Sequence, residues 1–164
     1  MTRLVLLTLG ALLLAAPAFS QNILELHLGA PRMQVTKEFG HPAIIEQIGD
    51  LESWRYQIGV EDNHEFSHFL VFRISTGELI SATQNFEPGK PLNELFPDAE
   101  TRVYHYPDAQ HPQMSVRLRK LDGGRLLLAV GGKRGAPVDQ LLLIKESELR
   151  NFHSWLYDQL HASE

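Results

Sequence analysis

The order of apolar and polar residues in this chain predicts a protein built mainly from β-strands. From Phe66 to Ile74 the side chains alternate, which is typical of a strand because successive side chains point to opposite faces of a sheet. Similar alternating stretches are separated by the turn sequences Gly49-Asp50, Ser75-Thr76-Gly77-Glu78 and Asp122-Gly123-Gly124. Alternation on both sides of such turns predicts antiparallel hairpins.

Apolar residues at helical spacing predict a short helix near the start of the chain and a longer one at its end. Val35 and Phe39 are four residues apart and share a helical face, and Gly40 with Pro42 is typical of a helix end. From Glu146 to Leu160 an apolar stripe predicts the longest helix. We therefore predict an α+β fold in which short helices pack on small antiparallel sheets, with a helix at the C-terminus.

The N-terminal residues follow the pattern of a secretory signal peptide. Arg3 is followed by an uncharged apolar stretch from Leu4 to Ala16, and Ala18-Phe19-Ser20 places small residues at a cleavage site. The apolar stretch is shorter than the roughly 20 residues that span a bilayer. We expect residues 1–20 to be a signal peptide cleaved near Ser20, and hence a periplasmic or secreted protein without a transmembrane span.

A cluster of proline and glycine divides the rest of the chain. Pro88-Gly89-Lys90-Pro91 interrupts the strand pattern. We predict that residues 21–87 form a helix plus an antiparallel meander, and that residues 88–164 form a second antiparallel-sheet unit with the C-terminal helix. Gly29-Ala30-Pro31 and Gly89-Lys90-Pro91 each precede a short helical turn and a series of strands. The two units are therefore either a tandem repeat or similar by chance.

Composition narrows the classes of partner and chemistry. The 164 residues carry a formal net charge of −5, which does not suit nucleic acid or anionic lipid because both favour clustered lysine and arginine. The chain has no cysteine, which excludes thiol catalysis, cysteine-ligated zinc and a lipid anchor on cysteine. No motif in the sequence indicates a cofactor.

A set of residues in the N-terminal half combines a helix start, a helix stop and an aromatic strand: Gly29, Val35, Phe39-Gly40, Pro42 and Trp54-Arg55-Tyr56. With the hairpin that follows, this set resembles the BamE/SmpA/OmlA type of small outer-membrane lipoprotein, and the related fold of the β-lactamase inhibitor protein uses similar units in tandem. The resemblance covers residues 26–87 and implies a domain that binds proteins rather than catalysing a reaction. The acylated cysteine of that family is missing, so the resemblance implies a protein without the lipid tether.

The sharpest catalytic candidate is His64-Glu65-Phe66-Ser67-His68. It matches H-E-x-x-H, in which a helix places both histidines on one zinc ion and the glutamate acts as general base. The alternation around it predicts a strand instead, where the two histidines would lie roughly 13 Å apart, too far for one metal ion. We expect no catalytic residues and no metal site, and we keep a zinc-dependent hydrolase using His64 and His68 as an alternative.

The leading hypothesis is a non-enzymatic module of the bacterial cell envelope that binds another envelope or secreted protein. The contact surface would be a face of the sheet or the glycine-rich loop at 131–136. The candidate contact residues are Trp54, Tyr56, Phe69, Lys133 and Arg134. Aromatic residues of this kind more often belong to the core, but those that are exposed on a sheet would supply rigid contact area for a partner. A second alternative is a periplasmic small-ligand binder with a pocket between the two units.

Overall fold

An antiparallel sheet of eight strands organises the part of the protein that the structure describes. The structure is a computed structural model that describes residues 22–56, 67–91, 95, 102–105, 115–131 and 137–162. The strands are β1 (Ile44–Ile48), β2 (Leu51–Tyr56), β3 (His68–Arg73), β4 (Leu79–Lys90), β5 (Arg102–His105), β6 (Ser115–Leu121), β7 (Arg125–Gly131) and β8 (Val138–Lys145). Their order across the sheet is β1-β2-β3-β4-β8-β7-β6-β5.

The sheet consists of two successive meanders that are joined through their last strands. β4 pairs antiparallel with β8, with Ser81 opposite Ile144 and Asn85 opposite Gln140. The predicted α+β class with antiparallel strands and a C-terminal helix is confirmed, but the expected small separate sheets are wrong because this pairing merges them. The predicted boundary between residues 87 and 88 falls within β4.

The short N-terminal helix forms as predicted. α1 (Arg32–Phe39) buries Val35 and Phe39 on one face and ends at Gly40, whose φ of +78° favours glycine because it has no Cβ. The Gly40 N–H donates to the Thr36 carbonyl at 2.8 Å and closes the last turn. A 3₁₀ turn at Ile23–Glu25 precedes α1 and buries Ile23 in the same core.

The C-terminal segment is not the continuous helix that the apolar stripe predicts. A 3₁₀ turn (Glu146–Glu148) leads into α2 (Leu149–Phe152), and α3 (Ser154–His161) follows after a break at His153. His153 has φ −141° and ψ 64°, which lies outside the helical region. The stripe residues Leu149, Leu156 and Leu160 are nevertheless buried against the sheet. The break therefore changes the path of the segment without exposing its apolar side.

The two faces of the sheet are covered by different segments. The face that we call the α1 face packs against α1 and the N-terminal residues, and its core includes Phe39, Trp54, Phe72, Leu79, Leu127 and Leu143. The opposite face, the α3 face, is covered by α2 and α3, and its core includes Val116, Leu118, Leu128, Leu142, Ile144 and Leu156. Because the sheet residues in this core belong to β6, β7 and β8, the described helices leave the β2–β4 part of the α3 face uncovered.

Candidate binding groove

An open groove lies on the α3 face where the first meander meets the second. It encloses about 530 Å³ and is bounded on one side by the junction of α2 and α3. Its lining residues are Arg55, Phe69, Val71, Ser81, Thr83, Asn85, Gln140, Leu142, Phe152 and His153. We call it the junction groove, because β4 and β8 together form its floor.

A polar stripe runs along β4 at the bottom of the junction groove. Ser81, Thr83 and Asn85 are spaced by two residues, so their side chains point to the same face of the sheet. Ser81 is 3% exposed and Thr83 is 9% exposed, yet neither hydroxyl has a hydrogen-bond partner within the described chain. Asn85 Oδ1 accepts a hydrogen bond from Gln140 Nε2 at 2.9 Å. The stripe thus offers two hydroxyl groups to whatever occupies the groove.

Apolar side chains border the polar stripe on both sides. On β3, Phe69 lies opposite Thr83 and Val71 lies opposite Ser81. On β8, Leu142 lies opposite Thr83, and Phe152 lines the groove beyond it. The groove therefore has a narrow polar floor between two apolar margins.

One charged side chain, Arg55, is among the described residues that line the groove. Arg55 lies over the ring of Phe69, with 5.8 Å between the guanidinium carbon and the ring centroid. At the outer rim, Arg55 Nη2 donates to Glu46 Oε2 at 2.5 Å, and both side chains are partly exposed. Among the described lining residues the ionisable side chains are Arg55 and His153, and none is acidic. The groove therefore suits a neutral or acidic ligand.

His153 forms part of the groove wall at the break between α2 and α3. Burial lowers the pKa of its imidazole below the ordinary range, because the charged form loses hydration there. The unfolded chain takes up this proton at a pH near 6.5, whereas the folded chain takes it up only at lower pH. Protonation of His153 therefore favours the unfolded state. The free energy of unfolding decreases as the pH falls from the pKa of the unfolded chain toward the lower pKa of the folded chain.

We expect His153→Gln to reduce the pH dependence of stability in this range. Glutamine keeps a polar side chain but does not titrate, so the variant should lose less free energy of unfolding than the wild type between about pH 7 and pH 5. Urea denaturation at several pH values measures the difference. Equal slopes for the two proteins would show that His153 is protonated at the same pH in the folded and the unfolded states.

The structure separates the predicted aromatic contact residues. Trp54 and Tyr56 are 5% and 3% exposed and lie in the core of the α1 face, so their prediction as surface contacts is wrong. Trp54 Nε1 donates to Glu52 Oε1 at 2.9 Å, and Tyr56 donates its hydroxyl proton to the Gly40 carbonyl at 3.3 Å. Burial also raises the pKa of Tyr56. Phe69, by contrast, lines the junction groove.

The other predicted site residues do not join the groove. Lys133, Arg134, His64 and Glu65 lie outside the described residues. His68 is buried on the α1 face with its ring centroid 5.7 Å from that of Phe39, and its Nδ1 lies 3.0 Å from Ser67 Oγ. Within the described ranges no three His, Cys, Asp or Glu side chains come close enough to hold a metal ion.

The sequence analysis did not identify Ser81, Thr83 and Asn85 as candidate binding residues. A signal was present, because hydrophilic residues occupy every second position of a strand that lies in the middle of the sheet. A central strand covered on both faces normally has apolar residues at such positions. The polar set therefore marks a part of the sheet that none of the helices in the described residues covers.

Comparisons with known proteins give only distant structural similarities. No protein-family model and no curated protein sequence matches the chain. A cysteine-rich secretory protein from Staphylococcus aureus is similar over 74% of this chain and 44% of its own, with 11% identity and a TM-score of 0.45. An extracellular SCP-domain protein from Bacillus anthracis is similar over 75% of this chain and 46% of its own, with 12% identity and a TM-score of 0.49. The chain thus spans less than half of either protein.

The resemblance to BamE/SmpA/OmlA lipoproteins is wrong. The described residues form one broad antiparallel sheet of eight strands with few helices, and not a small sheet of the BamE type. Gly40, Pro42 and Trp54, on which the resemblance depended, form a helix end and a core strand. Such local features occur in many folds, which is why they did not identify a family. In the described part of the chain, no helix is long and apolar enough to cross a membrane.

Proposed function

We propose that this chain is a non-enzymatic binding module, exported to the cell envelope or beyond, that binds a partner protein in the junction groove. The observation that carries the proposal is the pair of hydroxyl groups on Ser81 and Thr83, which have no hydrogen-bond partner in the described chain although both residues are largely buried. The hydroxyl oxygens themselves are accessible from the groove, because Arg117 Nη1 is the one fully buried side-chain atom without a partner among the described residues. Two accessible hydroxyl groups in a row, at the bottom of a groove with apolar margins, suit a ligand whose polar groups replace bound water.

The margins support a protein ligand. Phe69 and Phe152 supply aromatic contact area, and Arg55 adds a cation beside one ring. Aromatic residues and arginine are the side chains that most often dominate the energy of protein interfaces. The N-terminal signal-peptide pattern of residues 1–20 supports export, where the partner would be another envelope or secreted protein.

A periplasmic small-ligand binder is the second candidate. The groove volume of about 530 Å³ favours it, since sites for small molecules commonly measure about 300–1,000 Å³. The groove also lies between the two meanders, which correspond to the two predicted sheet units. Whether those units arose as a tandem repeat stays a prediction.

We expect a groove substitution to weaken partner binding while a matched surface substitution does not. Phage-displayed fragments of the host proteome would be selected on the wild-type protein, and selected fragments titrated by calorimetry. Phe69→Ala should weaken binding at least about tenfold, which corresponds to about 1.4 kcal/mol and is ordinary for a central aromatic contact. Met33→Ala is the control, because Met33 is 83% exposed on α1, which packs on the opposite face.

Two results would contradict the proposal. Equal binding of the selected fragments to wild type and to Phe69→Ala would place the interface elsewhere. Alternatively, selection could yield no fragment whose binding perturbs amide NMR signals from β3, β4 or β8. If the protein binds small metabolites selectively, and if Phe69→Ala weakens that binding while Met33→Ala does not, the second candidate is favoured instead.

A further inference from the structure

The polar stripe has the repeat distance of an extended peptide. Ser81, Thr83 and Asn85 occupy every second position of β4, so their side chains recur at about 6.6–6.8 Å. An extended peptide also repeats its backbone groups every two residues, at the same distance. A peptide lying along β4 can therefore place one backbone N–H or carbonyl near each member of the stripe.

The apolar margins match the side chains of such a peptide. Across the sheet, Phe69, Thr83 and Leu142 lie in one row, and Val71, Ser81 and Ile144 lie in the next. In an extended chain the hydrogen-bonding groups point at right angles to the side chains, and the side chains alternate between two directions. When the backbone faces the stripe, the side chains fall in turn on the β3 margin and on the β8 margin.

The charge of the groove limits the sequence of the peptide. Arg55 lies beyond Phe69 on the β3 side, opposite Phe69 across the β2–β3 pair. Arg55 is paired with Glu46 at the outer rim, and no acidic side chain is among the described lining residues, so an acidic residue of the ligand on this side would share the Arg55 guanidinium with Glu46. Apolar residues elsewhere would contact Val71, Leu142 and Phe152.

We infer that the junction groove binds an extended, mainly apolar peptide segment whose backbone is recognised by the hydroxyls of Ser81 and Thr83 and whose acidic side chain lies toward Arg55. This inference rests on the proposed function and specifies the partner. The mode differs from strand addition at a sheet edge, because β4 already pairs with β3 and β8 on either side. The hydrogen bonds from β4 to the ligand therefore come from the side chains of the strand and not from its backbone.

The test uses a defined probe, a capped peptide of alternating valine and leucine with one central glutamate and a lysine at each end for solubility. Two N-methylated forms carry the methyl groups on odd or on even amides. Only one set of amides can face the stripe, so one form should bind about tenfold more weakly than the parent and the other should bind nearly as well. Amide NMR shifts should fall on β3, β4 and β8.

The protein side of the test is the double variant Ser81→Ala with Thr83→Val, whose side chains keep nearly the same volume. It should bind the parent peptide about tenfold more weakly and no longer distinguish the two methylated forms. Ser53→Ala is the control, because Ser53 lies opposite Val71 on the same face of the sheet but outside the groove lining. Thermal unfolding checks that each variant folds, and the methylated peptides test the wild type independently of any variant.

The outcomes separate this inference from the proposed function. Equal binding of the two methylated forms, or no binding of the peptide, would overturn recognition of an extended backbone. If selected protein fragments still depend on Phe69 in that case, the groove remains a protein-binding site with another mode of recognition. If neither peptides nor fragments bind in the groove, both proposals fail. Binding of an oligosaccharide in the groove, with peptides excluded, would also overturn the inference.

Discussion

Replacing Phe72 with alanine is expected to lower the free energy of unfolding by about 3–5 kcal/mol. Phe72 is fully buried on the α1 face, and its ring centroid lies 4.5 Å from that of Trp54. The guanidinium carbon of Arg32 lies 5.7 Å from the same ring. Removing the ring leaves a cavity between β3 and α1 that rigid neighbours cannot close. Chemical denaturation monitored by tryptophan fluorescence measures the loss.

Phe69→Ala is the matched control for this prediction. Phe69 is three positions away on the same strand, but it faces the junction groove and is only half-buried. We expect this change to cost about 1–2 kcal/mol, since less apolar surface returns to water. Relative to the wild type, Phe72→Ala should therefore mainly lower stability, whereas Phe69→Ala should mainly weaken partner binding. A larger loss of stability for Phe69→Ala would show that the faces of β3 are assigned the wrong way round.

The second large effect is expected for Glu52→Ala. Glu52 Oε1 accepts hydrogen bonds from Arg32 Nε at 2.6 Å and from Trp54 Nε1 at 2.9 Å. Glu52 Oε2 accepts from Gln47 Nε2 at 2.8 Å. The carboxylate thus connects α1, β1 and β2, and its removal leaves a guanidinium and an indole N–H without their partner. We expect a loss of about 2–4 kcal/mol in the free energy of unfolding.

Glu46→Ala provides the comparison for Glu52. Glu46 also pairs with an arginine, Arg55, but both side chains are partly exposed. Exposed pairs contribute about 0–1 kcal/mol because water screens the charges and two flexible side chains must be held in place. Similar losses for the two variants would mean that the Glu52 network contributes no more than a surface ion pair.

The hydrogen bonds that Glu52 accepts from Arg32, Gln47 and Trp54 should weaken over a predictable range of acidic pH. Burial raises the pKa of Glu52, but hydrogen bonds from Arg32, Gln47 and Trp54 together outweigh it and lower the pKa below its usual range. The stabilisation is therefore complete above the unfolded pKa of about 4.3 and is lost as the pH falls through the lower folded value. Glu52→Gln should flatten the acid limb of the stability curve relative to the wild type.

The stability curve of the wild type is needed as a reference because the pKa of a second carboxyl group, that of Asp50, is also lowered in the folded chain. Hydrogen bonds from Ser75, its side chain first and then its backbone, lower the pKa of Asp50, which is exposed in the turn before β2. Only the difference between the Glu52→Gln and wild-type curves isolates the buried group. Identical curves would show that the carboxylate has the same pKa in the folded and the unfolded chain.

Local features of this fold could be predicted from the sequence because they depend on neighbouring residues. The turns at Gly49-Asp50 and Asp122-Gly123-Gly124 join β1 to β2 and β6 to β7 in register, as the alternation indicated. The end of α1 at Gly40 was predicted for the same reason. In each case the backbone conformation is fixed by a glycine and the few residues beside it.

Long-range features could not be predicted in this way. Nothing near Ser81 specifies that it pairs with Ile144, so two separate sheets fitted the sequence as well as one. Alternation places Trp54 and Phe69 on opposite faces only after β2 and β3 are paired. It does not reveal which face the helices cover. The junction groove depends on where α2 and α3 end, and their break at His153 interrupts a stripe that reads as continuous.

The pairing of β4 with β8 has a consequence for how the chain folds. β1 to β4 can form a meander early, since each strand pairs with the next, but β4 then presents a 12-residue strand with one open edge. That edge closes only when β8, the last strand, is in place. Contacts between such distant segments slow folding, and open edges of this kind associate with other chains. Chains that stop before Val138 should therefore aggregate, even though their first four strands are intact.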